Sequence, residues 1–174
     1  ELMPALKKFD GLTFSCITRL DVIDRETLAQ LKEAGCSLIL FGIESGSNEI
    51  LRKIDKKMTR EMIQQKTALV HAAGIPWLGF FIMGYPGETR TNILETLAFM
   101  KDLDPSYAEI NIFNPLPGTR IWNELETQGL VGSDLDFSRY SQSSTDNFFT
   151  NEHMTRQEFK ELALFMSREF DAHN

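Results

Sequence analysis

The sequence predicts an α/β fold built on a parallel sheet. Four apolar runs of strand length alternate with segments of helical period. Two of those runs, 37–43 and 76–83, are apolar almost throughout, as expected of strands covered on both faces. Helix-start residues at Asp24, Ser47 and Thr59 and stops at Gly35, Gly74 and Gly129 punctuate the series. Strand–helix units in series imply parallel strands joined by right-handed crossovers. The layout fits four strands of a (β/α) barrel or a small doubly wound sheet. Four strands cannot close a barrel that takes about eight, so as a barrel this is an arc.

The elements follow in order. Leu12–Ile17 reads as the first strand. Asp24 caps a helix through Ala34, with Leu28 and Leu31 on one face. Ser37–Ile43 is the second strand. Ser47 opens a short helix carrying Ile50, Leu51 and Ile54, and Thr59 opens a longer one with Met62, Ile63, Leu69 and Val70 inward. Pro76–Met83 is the third strand, and 84–88 (Gly-Tyr-Pro-Gly-Glu) is a turn. A helix from about Arg90 carries Ile93, Leu94, Leu97 and Met100. Tyr107–Phe113 alternates as a fourth strand, ended by 114–118 (Asn-Pro-Leu-Pro-Gly). A helix with Ile121, Trp122 and Leu125 stops at Gly129. Residues 132–151 are polar and irregular, with Phe148 and Phe149 as expected anchors. A capping box from Thr155 to Glu158 opens a last helix striped by Phe159, Leu162, Ala163, Met166 and Phe170. The expected division is a barrel part, 1–130, and an extension with one helix, 131–174.

Composition narrows the function. The chain has 174 residues, a formal charge of −7 and 42% hydrophobic residues. An ordinary folded domain is expected, with no nucleic acid or membrane partner, because both want a basic face. No apolar run approaches the roughly 20 residues of a membrane span. Two cysteines, Cys16 and Cys36, suit a reducing cytoplasm and read as buried inert thiols. Two thiols cannot ligate an iron–sulfur cluster alone. His71, His153 and His173 have no partner at ligand spacing and read as surface residues. No catalytic residue and no metal ligand is expected on this chain. The start at Glu1 rather than methionine leads us to expect a piece of something longer.

Ligands of parallel α/β folds collect at the C-terminal ends of strands. Glu44 ends an apolar strand within Gly42-Ile-Glu-Ser-Gly46. Its carboxylate can accept two hydroxyl bonds, as from a ribose diol. Equally, it can cap a helix or pair with Arg19. Gly84 and its turn allow a ligand close to the backbone, or form a plain βα turn. Arg52, Lys53, Lys56, Lys57 and Arg60 form a basic run, one member of which could hold a carboxylate. Asp21 and Asp24 read as capping and solvating the first helix start.

Phe41-Gly-Ile-Glu-Ser-Gly-Ser47, Gly74-Ile75, Phe81-Ile-Met-Gly-Tyr-Pro-Gly-Glu-Thr89 and Asn114-Pro-Leu-Pro-Gly-Thr119 together resemble the radical S-adenosylmethionine (SAM) superfamily. The likeness is to the branch whose members often carry an N-terminal cobalamin-binding domain. It includes methyltransferases, methylthiotransferase-like enzymes and anaerobic magnesium-protoporphyrin ester cyclases. The resemblance covers about residues 13–129 and implies the third to sixth strands of an incomplete six-unit (β/α) barrel. The family's Cys-x-x-x-Cys-x-x-Cys loop, which follows its first strand, has no counterpart here.

The resemblance implies site residues one by one. Glu44 matches the position that holds the SAM ribose, with Ser45 beside it. Ile82 matches the apolar residue packed on adenine, and Gly84 follows it in the same motif. Phe80 stands where the motif has its first Gly, and Glu88 falls one place late. Asn114 and Pro115 match the strand end whose backbone edges adenine. Arg19 is the candidate for the methionine carboxylate. The implied parent is a 4Fe-4S enzyme that cleaves SAM reductively to a 5′-deoxyadenosyl radical, an oxidoreductase or methyltransferase, with cobalamin on a separate upstream domain. The fragment alone is expected to be inactive. The other reading is a non-catalytic nucleotide-binding α/β barrel-like domain. The open side of the arc is expected either to pair two copies or to be partly covered by the last helix.

Overall fold

The computed structural model describes residues 2–6, 8–132 and 150–171. Phe148, Phe149 and His173 lie outside the described residues. Elements run α1 (Leu2–Leu6), β1 (Phe14–Thr18), a 3-10 turn (Leu20–Val22), α2 (Arg25–Glu33), β2 (Cys36–Glu44), α3 (Asn48–Lys53), α4 (Arg60–Ala73), β3 (Trp77–Met83), α5 (Arg90–Leu103), β4 (Tyr107–Ile112), α6 (Arg120–Thr127) and α7 (Arg156–Asp171). The four strands form one parallel sheet in the order β1-β2-β3-β4. That is the expected arc.

Burial alternates along each strand and separates two faces. Ile39, Phe41 and Ile43 of β2 and Trp77, Phe81 and Met83 of β3 are buried under the helices. Leu38, Leu40, Leu78, Phe80 and Ile82 face the other way and are half-buried. On the outer strands that concave face is open, with Ile17 73% and Tyr107 58% exposed. The helix side holds the main core, where Phe41, Trp77, Phe81 and Phe99 meet Leu28, Leu31, Ile63 and Val70.

Five of the helices start where a side chain accepts an orphan N–H, whereas Ser47, expected to cap α3, makes no such bond because its hydroxyl accepts from Asn92 Nδ2 of α5 instead. Asp24 accepts from Thr27 N, Thr59 from Met62 N and Thr119 from Trp122 N. Thr89 and Asn92 cap α5 reciprocally. Thr155 and Glu158 do the same at the start of α7.

Several expectations need correction. The first strand starts at Phe14, because the chain before it turns through Gly11 at φ 71 and Leu12 is 38% exposed. The second extends to Glu44. On α4 the inward residues are Ile63, Thr67 and Val70, spaced four and three apart, whereas Met62 is 42% exposed and Leu69 half-buried. The last helix does not cover the concave mouth. Phe159, Leu162 and Met166 pack with Met83, Ile93, Leu97 and Ile112 on the helix side. Ile93 and Leu97 of α5, with Met83 and Ile112 of the sheet, supply the matching apolar surface there.

Candidate functional site

The C-terminal ends of β2, β3 and β4 open onto two cavities with a common floor. One, about 510 Å³, is lined by Phe80, Ile82, Tyr85, Asn111, Phe113 and Asn114, among others. The other, about 470 Å³, includes Glu44, Lys56, Lys53 and Arg120 and shares Ile82, Tyr85 and Phe113 with the first. The shared residues make one cleft, with Glu44 at one end and Asn114 at the other. The Tyr85 and Phe113 rings meet at 5.0 Å between centroids.

Local backbone aims Glu44. A register shift in the β2–β3 ladder sets Gly42 opposite Phe80 and Glu44 opposite Phe81, leaving Ile43 as the extra residue. Glu44 itself sits at φ 73, a left-handed conformation that a side chain disfavours. Its carboxylate folds over Gly42, in space that a β-carbon there would fill. Lys56 Nζ reaches Glu44 Oε1 at 3.3 Å and donates to Gly42 O at 2.7 Å. So one member of the basic run does hold a carboxylate. Arg19 does not pair with Glu44; it forks onto Asp21 at 2.9 and 2.7 Å, exposed to solvent, and lines neither cavity. That bond holds the Asp21 carboxyl below its ordinary range. Asp21 is therefore an ion-pair partner, while Asp24 is the cap of α2.

Ser45 is buried and turned away from the cleft. Its hydroxyl lies 3.1 Å from Thr96 Oγ1 and accepts from Ser47 N. Thr96 also accepts from Gly46 N at 2.9 Å, so this hydroxyl pair fixes the loop after Glu44. Pro115 is buried beyond Asn114. Asn114 Nδ2 donates to Ile112 O at 3.4 Å.

Gly84 sits at φ 90 with its N–H donating to Glu88 Oε2 at 2.5 Å. The close approach it permits is filled by the protein itself. A β-carbon at Gly84 would stand 2.8 Å from the Phe159 ring of α7. Glu88 is fully buried and, among the described residues, its Oε1 has no hydrogen-bond partner. Burial pushes its carboxyl up to about 7, against the backbone N–H bonds from Gly84 and Tyr85. Burial, with the Glu44 and Glu88 carboxylates nearby, pushes the Tyr85 phenol up as well. Lys53 belongs to the basic run already legible in the sequence, whereas Tyr85, Phe113 and Arg120 were not legible as site residues. Their one sequence signal is that they stand within a few residues of a strand or helix end.

A model of the radical SAM superfamily matches residues 1–100, more than half of the chain. The chain belongs to the radical SAM superfamily. It is 32% identical over 157 residues to the uncharacterized methyltransferase PH0819 of Pyrococcus horikoshii, covering 89% of this chain and 34% of that protein. It is 32% identical over 148 residues to the tRNA-2-methylthio-N(6)-dimethylallyladenosine synthase of Clostridium novyi, covering 81% of this chain and 32% of that one. The chain thus spans about a third of the length of these relatives. Among solved structures, the radical SAM methyltransferase TsrM of Kitasatospora setae, with cobalamin and a [4Fe-4S] cluster bound, superposes at a TM-score of 0.65. The two are 20% identical, over 73% of this chain and 27% of that one. Coproporphyrinogen III oxidase of Escherichia coli, a radical SAM enzyme, superposes at 0.64 and 17% identity over 97% and 36%. These two likenesses show the fold, an arc of the radical SAM barrel.

The cleft of this radical SAM chain suits a nucleoside. Ile82, Tyr85 and Phe113 give an apolar floor, and Glu44 offers acceptors at its edge. An iron–sulfur cluster does not fit the residues of this chain. Its two thiols stand on neighbouring strands with sulfurs 3.9 Å apart, packed into or against the core under the helices. Burial and then Cys16 push the Cys36 thiol up to about 11. Among the described residues, no three His, Cys, Asp or Glu side chains gather to hold a metal.

Proposed function

We propose that this chain is the SAM-binding part of the catalytic domain of a radical SAM iron–sulfur enzyme, an oxidoreductase or methyltransferase. The observation that carries this is the continuous cleft from Glu44 across Ile82 to Asn114, on a chain of that superfamily. Glu44 accepts the ribose hydroxyls, Ile82 packs on adenine, and Asn114 and Pro115 edge the base. Gly84 shapes the turn beside it, and Ser45 fixes the loop carrying Glu44. SAM, when reduced by a cluster held elsewhere, supplies a 5′-deoxyadenosyl radical. This chain's residues bind and orient the nucleoside and keep water from it. The alternative of a non-catalytic nucleotide-binding domain is not favoured, given the methyltransferase and methylthiotransferase relatives.

The same reading places the protein in the cytoplasm with a small-molecule substrate. No described helix is long and apolar enough to cross a membrane. Cobalamin, where the parent uses it, sits on another domain. Residues 1–130 form the barrel part and 131–174 the extension. The exposed Ile17 and Tyr107 on the open concave face support pairing of two copies when this chain stands alone. Sedimentation across concentration tests that pairing.

Calorimetry with SAM tests the main reading, using the protein that carries this chain and its Glu44→Ala variant. Lost charge-assisted hydroxyl bonds should weaken binding ten-fold or more, at ~1.5–3 kcal/mol each. Equal affinities would overturn the assignment of Glu44.

A further inference from the structure

Asn151 of the extension reaches the cleft wall. Asn151 is buried, 7% exposed, and its carboxamide is fully engaged. Nδ2 donates to Glu88 O at 2.6 Å and to Tyr85 O at 3.4 Å. Oδ1 accepts from His153 N at 2.9 Å. Both carbonyls belong to the turn after β3, which the chain otherwise closes with Glu88 N donating to Tyr85 O at 3.0 Å. This turn carries Tyr85, whose ring lines both halves of the cleft.

Two local bonds, Glu88 N to Tyr85 O and Gly84 N to Glu88 Oε2, close the turn between flexible ends. Gly84 and Gly87 at its two ends both adopt positive φ, 90 and 72, conformations that glycine leaves freely. The Glu88 carboxylate that braces it from inside has one oxygen unpaired among the described residues. Phe159 presses on Gly84 from the helix side, which limits movement one way only. Asn151 is the group that binds the two carbonyls on the Tyr85 side at once.

We propose that Asn151 is a positioning residue for the cleft: it holds the 85–88 turn and so sets the Tyr85 wall against which the nucleoside binds. This rests on the SAM-binding reading for its functional consequence. Its structural part is tested by itself, through the Tyr85 ring, which also packs with Ile50, Phe113 and Trp122. The contribution comes from a residue about 65 positions beyond the turn, in the segment that the sequence divides from the barrel. It acts through backbone carbonyls, so the identity of Tyr85 does not enter the contact.

Fluorotyrosine labelling of the protein that carries this chain, read by fluorine NMR, tests it together with SAM calorimetry. The Tyr85 resonance is assigned by Tyr85→Phe. Asn151→Ala should shift or broaden that resonance, leave exposed Tyr107 unmoved, and weaken SAM roughly five-fold, the scale expected when one pair of hydrogen bonds is lost. Asn151→Ser keeps a shorter single donor and should fall between, and it serves if the alanine variant does not fold. Unmoved Tyr85 in a folded Asn151 variant overturns the proposal. So does a Tyr85 shift with unchanged SAM affinity. If wild-type protein and Glu44→Ala bind SAM alike, the ribose assignment fails, while the fluorine arm still decides whether Asn151 holds Tyr85.

Discussion

Lys56 Nζ stands 3.3 Å from Glu44 Oε1 and 2.7 Å from the carbonyl of Gly42, two residues before Glu44. One ammonium thus ties a carboxylate to its own strand end. Glu44 and Lys56 are both about a quarter exposed, so the ion pair is worth at most ~1 kcal/mol of stability. The left-handed backbone of Glu44 costs about 1–2 kcal/mol, so strain outweighs the pair. A residue kept at a net cost is what a binding position looks like.

Glu44→Gly should therefore fold as stably as wild type or up to ~1 kcal/mol more so, since glycine accepts the positive φ without strain. Glu44→Ala should be less stable than Glu44→Gly by about 1–2 kcal/mol, because both lose the pair but only alanine keeps the strain. Both should lose SAM affinity. Denaturant titrations of the three proteins check the order, and a Glu44→Gly protein clearly less stable than Glu44→Ala would contradict it.

Gly42→Ala places a methyl group where the Glu44 carboxylate lies. The obstructing atom is the end of a side chain, so Glu44 swings aside and stability changes by under ~1 kcal/mol. Binding of SAM should nonetheless weaken several-fold, as a misaimed acceptor loses its hydroxyl bonds. Melting temperature and calorimetry on the same sample separate the two effects.

Gly46→Ala behaves differently. Its β-carbon would stand 2.6 Å from Phe99 Cβ, 2.7 Å from Thr96 Cα and 2.9 Å from Glu95 O, all on the rigid frame of α5. The β2–α3 loop must leave the helix, breaking the Gly46 N bond to Thr96. A loss of about 2–4 kcal/mol is expected by denaturant unfolding.

Glu88 gives a pH dependence of definite sign. Its carboxyl is raised from 4.5 to about 7 in the folded chain. Between those values the folded state binds more protons than the unfolded one, so stability falls as pH rises through that window. The stability associated with the neutral acid is fully present below about pH 4.5 and lost above about pH 7, on the order of 3 kcal/mol. Glu88→Gln keeps an acceptor for Gly84 N and should flatten that slope. Identical slopes in the two proteins, followed by melting temperature from pH 4.5 to 8, would exclude Glu88 as its source.

Anaerobic reconstitution of this chain by itself should leave no stoichiometric cluster, because Cys16 and Cys36 are its only cysteines. Iron and sulfide analysis reads the outcome directly.

The sequence by itself determined the four parallel strands, their order of appearance, the helix caps other than Ser47 and the superfamily motifs. Each depends on nearest neighbours in the chain: alternating or continuous apolar runs, a hydroxyl three residues before an N–H, a glycine at a stop. It also placed Glu44 at a strand end. Tertiary structure alone decided what that strand end does. The β2–β3 register shift turns Glu44 towards the cleft, Lys56 comes 12 residues later to hold it, and Arg19 turns out to belong to Asp21. The last helix could not be placed from its own stripe, because an apolar face does not say which apolar surface it meets. Phe159 met Gly84, where the absent β-carbon leaves room for a ring, and the same segment delivered Asn151 to the Tyr85 turn. Such contacts join residues more than 60 positions apart, and only the closed packing of the helix layer fixes them.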